Sequence, residues 1–74
     1  MTIAEAIIKN KIKVGDIVIA KQNKKFRVRK IDYDRNDLLC SYANKQEQEE
    51  MIKRGYTVVR LKCYDDYRPV SVKG

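Results

Sequence analysis

The sequence predicts a mainly β domain of α+β composition. Its architecture is a small, strongly bent five-stranded barrel with a short N-terminal helix and a helical insert between strands three and four. Three observations predict it. Short runs rich in β-branched residues recur at tight spacing between turn residues. Two stretches, one at the start and one past the middle, carry the spacing of helix caps. The length of 74 residues suffices for one domain, 1–74, with a modest core. An open α+β sheet with two helices on one side is the alternative arrangement.

Thr2 and Glu5 have capping-box spacing and predict a helix of about two turns. Ile3, Ala4, Ile7 and Ile8 form its apolar stripe, and Asn10 ends it. So short a helix must pack on something to persist. Val14-Gly15-Asp16 then turns the chain into Ile17-Val18-Ile19-Ala20, whose unbroken apolar run predicts a strand buried on both faces. Gln22-Asn23-Lys24 is a turn. Phe26-Arg27-Val28-Arg29 alternates, with Phe26 and Val28 inward and both arginines outward. The alternation slips near Lys30-Ile31, where a bulge would re-aim Ile31 and Tyr33. Asp34-Arg35-Asn36-Asp37 is a turn with a solvated acidic character, and Leu38 to Tyr42 is the third strand.

Asn44 and Glu47 start the second helix, Glu49–Lys53 and Glu50–Arg54 have ion-pair spacing, and Gly55 stands where a left-handed C-terminal residue belongs. Its apolar content is Met51 and Ile52, so it reads as a surface excursion. Tyr56 to Tyr64 predicts a long fourth strand, with Thr57, Val59, Leu61 and Cys63 on one face and Tyr56, Val58, Arg60, Lys62 and Tyr64 on the other. Asp65-Asp66 turns the chain. Arg68 to Val72 is a final strand in which Pro69 fits an edge.

Composition removes most enzyme classes. There is no His, and so neither the commonest general base nor the commonest metal ligand. The glycines at 15, 55 and 74 make no phosphate loop, and two cysteines do not make a four-ligand zinc site. No enzyme activity, cofactor or metal is expected; a small ribonuclease toxin using Lys, Arg, Tyr and acidic groups is the one enzyme-like alternative. Cys40 and Cys63 read as small core hydrophobes of a reducing compartment, with a cross-strand disulfide as the other option. No apolar run is long enough to span a membrane, and the N-terminus lacks the order of a signal peptide, so a cytoplasmic location is expected.

Val14-Gly15-Asp16-Ile17-Val18, followed by Phe26 to Ile31 and then Leu38-Leu39-Cys40-Ser41-Tyr42, resembles small SH3-like barrels of the KOW type. The resemblance covers about Val14 to Tyr42, and more loosely Thr57 to Val72. It implies a binding domain of the kind found in ribosomal and transcription proteins and in short phage or mobile-element proteins. The helix ahead of five strands is also similar to the Sm arrangement. The glycine of the second Sm strand is absent here, so ring assembly is not carried over.

The net charge of +7 is unevenly spread: +7 over residues 1–31, −4 over residues 32–50 and +4 over residues 51–74. Lys25, Arg27 and Arg29 would share the outward face of the second strand, and Arg60 and Lys62 that of the fourth, beside Tyr56 and Tyr64. Alternate outward cations stand about 6.5–7 Å apart, close to the phosphate repeat of a nucleic-acid strand. A solubilising surface mixes signs, whereas this hairpin is nearly all positive. The expected function is therefore non-catalytic binding of RNA or DNA through backbone phosphates, by Lys24, Lys25, Arg27, Arg29, Lys30, Arg60, Lys62 and Tyr56. The alternative is a phage or mobile-element accessory protein that binds and modulates a host protein, presenting the same basic surface to an acidic partner. Either could act as a monomer or a homodimer. Tyr33, Tyr42, Tyr56, Tyr64 and Tyr67 read as half-buried rim, and the acidic helix as a solvated face.

Overall fold

Thr2 closes the capping box that its spacing predicts. Its hydroxyl accepts the Glu5 N–H at 3.2 Å, and the Glu5 carboxylate accepts the Thr2 N–H at 3.4 Å. The Thr2 N–H and then the Thr2 hydroxyl, which donates to the carboxylate at 3.1 Å, hold the Glu5 carboxyl below the usual range. The computed structural model describes residues 1–70, and in it the capped helix, α1, spans Ile3–Ile8. Asn10 ends it with a left-handed φ of 56°, so that the Asn10 N–H reaches the Ile7 carbonyl and the Lys11 N–H the Ala6 carbonyl. The buried stripe of α1 is Ile3, Ala6 and Ile7 rather than the predicted Ile3, Ala4, Ile7 and Ile8. Ile8 is 72% exposed, because at about 100° per residue it lies to the side of the Ile3–Ala6–Ile7 stripe.

Five antiparallel strands follow in one sheet: β1 (Ile17–Ala20), β2 (Lys24–Asp32), β3 (Asp37–Tyr42), β4 (Val59–Leu61) and β5 (Arg68–Pro69). Their order is β4-β3-β2-β1-β5. The sheet is not closed, which corrects the expected barrel: β4 and β5 are the two edges and do not pair. The N-terminus ties to the chain that leads from β4 to β5. The Ile3 N–H donates to the Asp65 carbonyl, the Ala4 N–H to that of Cys63, and the Tyr67 N–H to that of Met1. Thr2 and Asp66 form an isolated bridge. These bonds join the N-terminus to the connection between the two edge strands, and not to β4 or β5 themselves.

The inner face of the sheet carries Val18, Phe26, Val28, Leu38, Cys40 and Leu61, which pack with Ile3, Ala6, Ile7, Ile12 and Tyr67. Phe26 is 1% exposed and its ring lies 5.1 Å from that of Tyr42. Both cysteines are free, and burial pushes the Cys40 thiol up to about 12. β1 is buried on its inner face only. Val18 is covered, but Ile17 and Ile19 are half-buried on the outer face, since α1 packs inside.

The register of β2 against β3 shifts between Val28 and Lys30, which is the bulge the slipped alternation predicts. It turns Ile31 back onto the core, while Tyr33 goes outward at 68% exposure. α2 spans Lys45–Lys53, capped by the Asn44 side chain on the Glu47 N–H and ended by Gly55 at φ 90°. It is anchored at its C-terminal end by buried Met51 and at its start by Gln48, whose side chain accepts the Tyr42 N–H at 2.8 Å.

The long fourth strand predicted for Tyr56–Tyr64 shrinks to three residues. Side chains capture the N–H groups that would have extended it: Asp65 accepts from Lys62 at 2.9 Å and Asp37 from Cys63 at 2.7 Å. The turn accordingly falls at Cys63-Tyr64 instead of Asp65-Asp66. β5 sits at an edge, as Pro69 requires, and the predicted continuation to Val72 lies outside the described residues.

Candidate nucleic-acid interface

Directly paired residues on neighbouring strands share a face, so the register assigns the surface. Ile17, Arg27 and Ser41 form one row across β1, β2 and β3 on the outer face, and Ile19 with Lys25 forms another. Beyond the bulge, Lys30, Leu39 and Arg60 form a row across β2, β3 and β4. The bulge keeps the outer face of β2 cationic along its length: Lys25, Arg27, Arg29 and Lys30 all stand there. Arg29 is steadied by donating from Nε to the Ser41 hydroxyl at 2.9 Å.

The eight predicted residues divide into three groups. Lys25, Arg27, Arg29 and Lys30 make the outer row just described. Lys24 turns the other way, into a groove against α2, where its ammonium lies 2.8 Å from the Glu47 carboxylate and 5.4 Å from the centre of the Tyr42 ring. Its hydrogen bond with Glu47 raises the Lys24 pKa. Tyr56 lines this same groove, of about 420 Å³, with Arg54, Met51 and Val58. Lys62 follows β4 and is separated from β2 by β3 in the sheet order.

Arg60 shares the outer face but is held by acids. Its Nη1 lies 3.2 Å from an oxygen of Asp32 and 3.2 Å from one of Asp37. These carboxylates stand directly opposite each other across β2 and β3, where like charges repel. Arg60 resolves the repulsion. Its hydrogen bonds with Asp32 and then Asp37 raise its own pKa, and the Arg60 guanidinium holds the Asp32 carboxyl below the usual range. The acidic turn is therefore not the solvated loop its composition suggests: Asp37 is 4% exposed. The Arg60 charge is spent inside the molecule.

The sign of this linkage is testable. A depressed carboxylate value adds stability that is present above the ordinary carboxylate range and lost as pH falls through the folded value. Arg60→Gln leaves Asp32 and Asp37 facing each other without a cation. The variant should be less stable than wild type in urea near pH 7, and the gap should narrow as pH falls below the ordinary carboxylate range, through the depressed Asp32 value. A gap that stays equal over that fall would overturn the assignment.

The ion pairs among the described residues are Lys21–Asp65, Lys24–Glu47, and Arg60 with Asp32 and Asp37. Lys25, Arg27, Arg29 and Lys30 take part in none of them. The Glu49–Lys53 and Glu50–Arg54 pairs predicted within α2 are also absent among the described residues, and Glu47 reaches across to β2 instead. Of the five tyrosines, Tyr67 is buried and Tyr42 half-buried. Tyr33, Tyr56 and Tyr64 are 63–72% exposed, which corrects their reading as half-buried rim. Among the described residues, no helix is long and apolar enough to cross a membrane. No family model, no curated protein and no solved structure matches the chain.

Proposed function

We propose that this chain is a non-catalytic nucleic-acid-binding domain that grips backbone phosphates with the outer face of β2. The observation that carries the reading is the separation of cations just described. Lys24 and Arg60 are neutralised by their own acids, while Lys25, Arg27, Arg29 and Lys30, in one row on the central strand of the sheet, take part in no ion pair among the described residues. A row of this kind attracts a polyanion, releases its condensed counterions and needs no base-specific contact. Half-buried Ile17 and Ile19 beside the row lower the local dielectric and strengthen each phosphate contact.

The test is a fluorescence-anisotropy titration with duplex DNA at several salt concentrations. Four phosphates neutralised predict a slope of about −3.6 in log K against log salt, so binding weakens about 150-fold between ~50 and ~200 mM. No binding at ~50 mM salt would refute the reading. An acidic host protein as partner would show itself differently, as one protein recovered from lysate whether or not nuclease is added.

A further inference from the structure

Beyond the end of the cationic row, the outer face holds a concavity of about 510 Å³, within the range of small-ligand clefts. Its lining includes Lys30, Asp32, Tyr33, Asp34, Leu39 and Arg60. The row Lys30–Leu39–Arg60 runs through it, so Lys30, the last cation of β2, lines it.

We infer that this concavity is a stacking subsite for one base of a single-stranded polynucleotide, with Tyr33 and Arg60 as its planar surfaces and Lys30 on the adjoining phosphate. The inference rests on the phosphate-binding reading and adds to it a strand preference and a place for a base.

Three features support it. Tyr33 is 68% exposed in a turn of otherwise polar residues, where a ring serves no core. Arg60 is pinned by Asp32 and Asp37, so its guanidinium is a plane fixed before any ligand arrives. Fixed guanidinium and phenol planes are surfaces on which unstacked bases settle. The charge pattern sorts the ligand. Arg60 has no charge to spare for a phosphate, and the lining residues Asp32 and Asp34 repel one, so a neutral base is favoured inside and its phosphate outside, on Lys30.

The rival groove beside α2 fits a base less well. Lys24 already covers the Tyr42 ring there, and Glu47 and Glu50 line the rim. Duplex DNA keeps its bases stacked, so it can use the cationic row but not the subsite.

The experiment compares a labelled oligo(dT) of about 12 nucleotides, within the span such small domains cover, with a duplex of the same length. Tyr33→Ala should weaken oligo(dT) binding about five- to hundredfold and leave duplex binding unchanged. Tyr33→Phe should bind as wild type, and so should Tyr56→Ala. The chain has no Trp, so Tyr33→Trp supplies a single reporter whose fluorescence a stacked base should quench on oligo(dT) addition. If wild type binds both probes and Tyr33→Ala changes neither, the subsite is overturned and the phosphate reading stands. If wild type binds neither probe, the phosphate reading falls and takes the subsite with it. Loss of oligo(dT) binding in Tyr56→Ala but not in Tyr33→Ala would place the base in the other groove and overturn this one.

Discussion

Reversing Lys25 and Arg27 together, by Lys25→Glu and Arg27→Glu, should abolish measurable duplex binding at ~200 mM salt. Whatever binding is left at ~50 mM should show a salt slope near −1.8, half the wild-type value. The reasoning is positional. Both residues lie on the outer face of the central strand, each opposite an isoleucine of β1, and neither takes part in an ion pair among the described residues. Their charges are therefore available to a ligand, and reversal removes two phosphate contacts while adding two repulsions. Lys24→Gln is the matched control. It changes a cation one residue away in sequence whose charge is already held by Glu47, so binding should hold while the contact with α2 loosens. A double reversal that binds like wild type would refute the assignment of the outer face. Because both side chains point away from the core, the urea midpoint of the double variant reports whether any loss comes from folding instead.

The largest effect on stability should come from Phe26→Ala. A large ring truncated in a packed interior costs about 3–5 kcal/mol. A domain of this length holds roughly 4–11 kcal/mol in total. Phe26 is 1% exposed, it meets Tyr42 at 5.1 Å, and it stands on the central strand, paired on both sides by β1 and β3. The surroundings have little freedom to collapse into the space. The expected outcome is a chain partly unfolded at 37 °C, read as a lost cooperative urea transition. A shift below 1 kcal/mol would mean the core relaxes around the gap.

Features governed by residues near one another were legible in the sequence. The caps of both helices follow from Thr2–Glu5 and Asn44–Glu47, the bulge from the break after Arg29, and the edge strand from Pro69. Features governed by a distant partner were not. Nothing local to Tyr56–Tyr64 says that Asp37 and Asp65 will take the N–H groups of Cys63 and Lys62, so the strand is over-predicted. Nothing local to Ile17 and Ile19 says that α1 will pack inside the sheet. The barrel remained open for the same reason, since its closure depends on where the first and last described segments meet.

The candidate site divides along the same line. The cations of β2 could be read from alternation alone. The neutralisation of Arg60 needed the register that sets Asp32 opposite Asp37. A signal for it was present: two acids flanking a short turn meet across the hairpin and require a cation, and an arginine on the next strand answers. Tyr33 carried a signal as well, as the one ring in the run Asp32-Tyr33-Asp34-Arg35-Asn36-Asp37, where no apolar neighbour accounts for it.

The hydrogen bonds that join Met1, Ile3 and Ala4 to residues 63–67 have a kinetic consequence. Among the described residues they are the hydrogen bonds of greatest sequence separation, so their loop-closure entropy is the largest and the hardest to recover early. The hairpin of β1 and β2 and its pairing with β3 can form while the chain is still being made. The seam between α1 and the β4–β5 connection must wait until residue 67 has been added. Until then α1, too short to persist alone, has only part of its partner surface, and the exposed edge of β1 is open to other chains. Residues 63–67 are thus the latch of the domain, and their arrival sets the moment at which α1 is sealed onto the core.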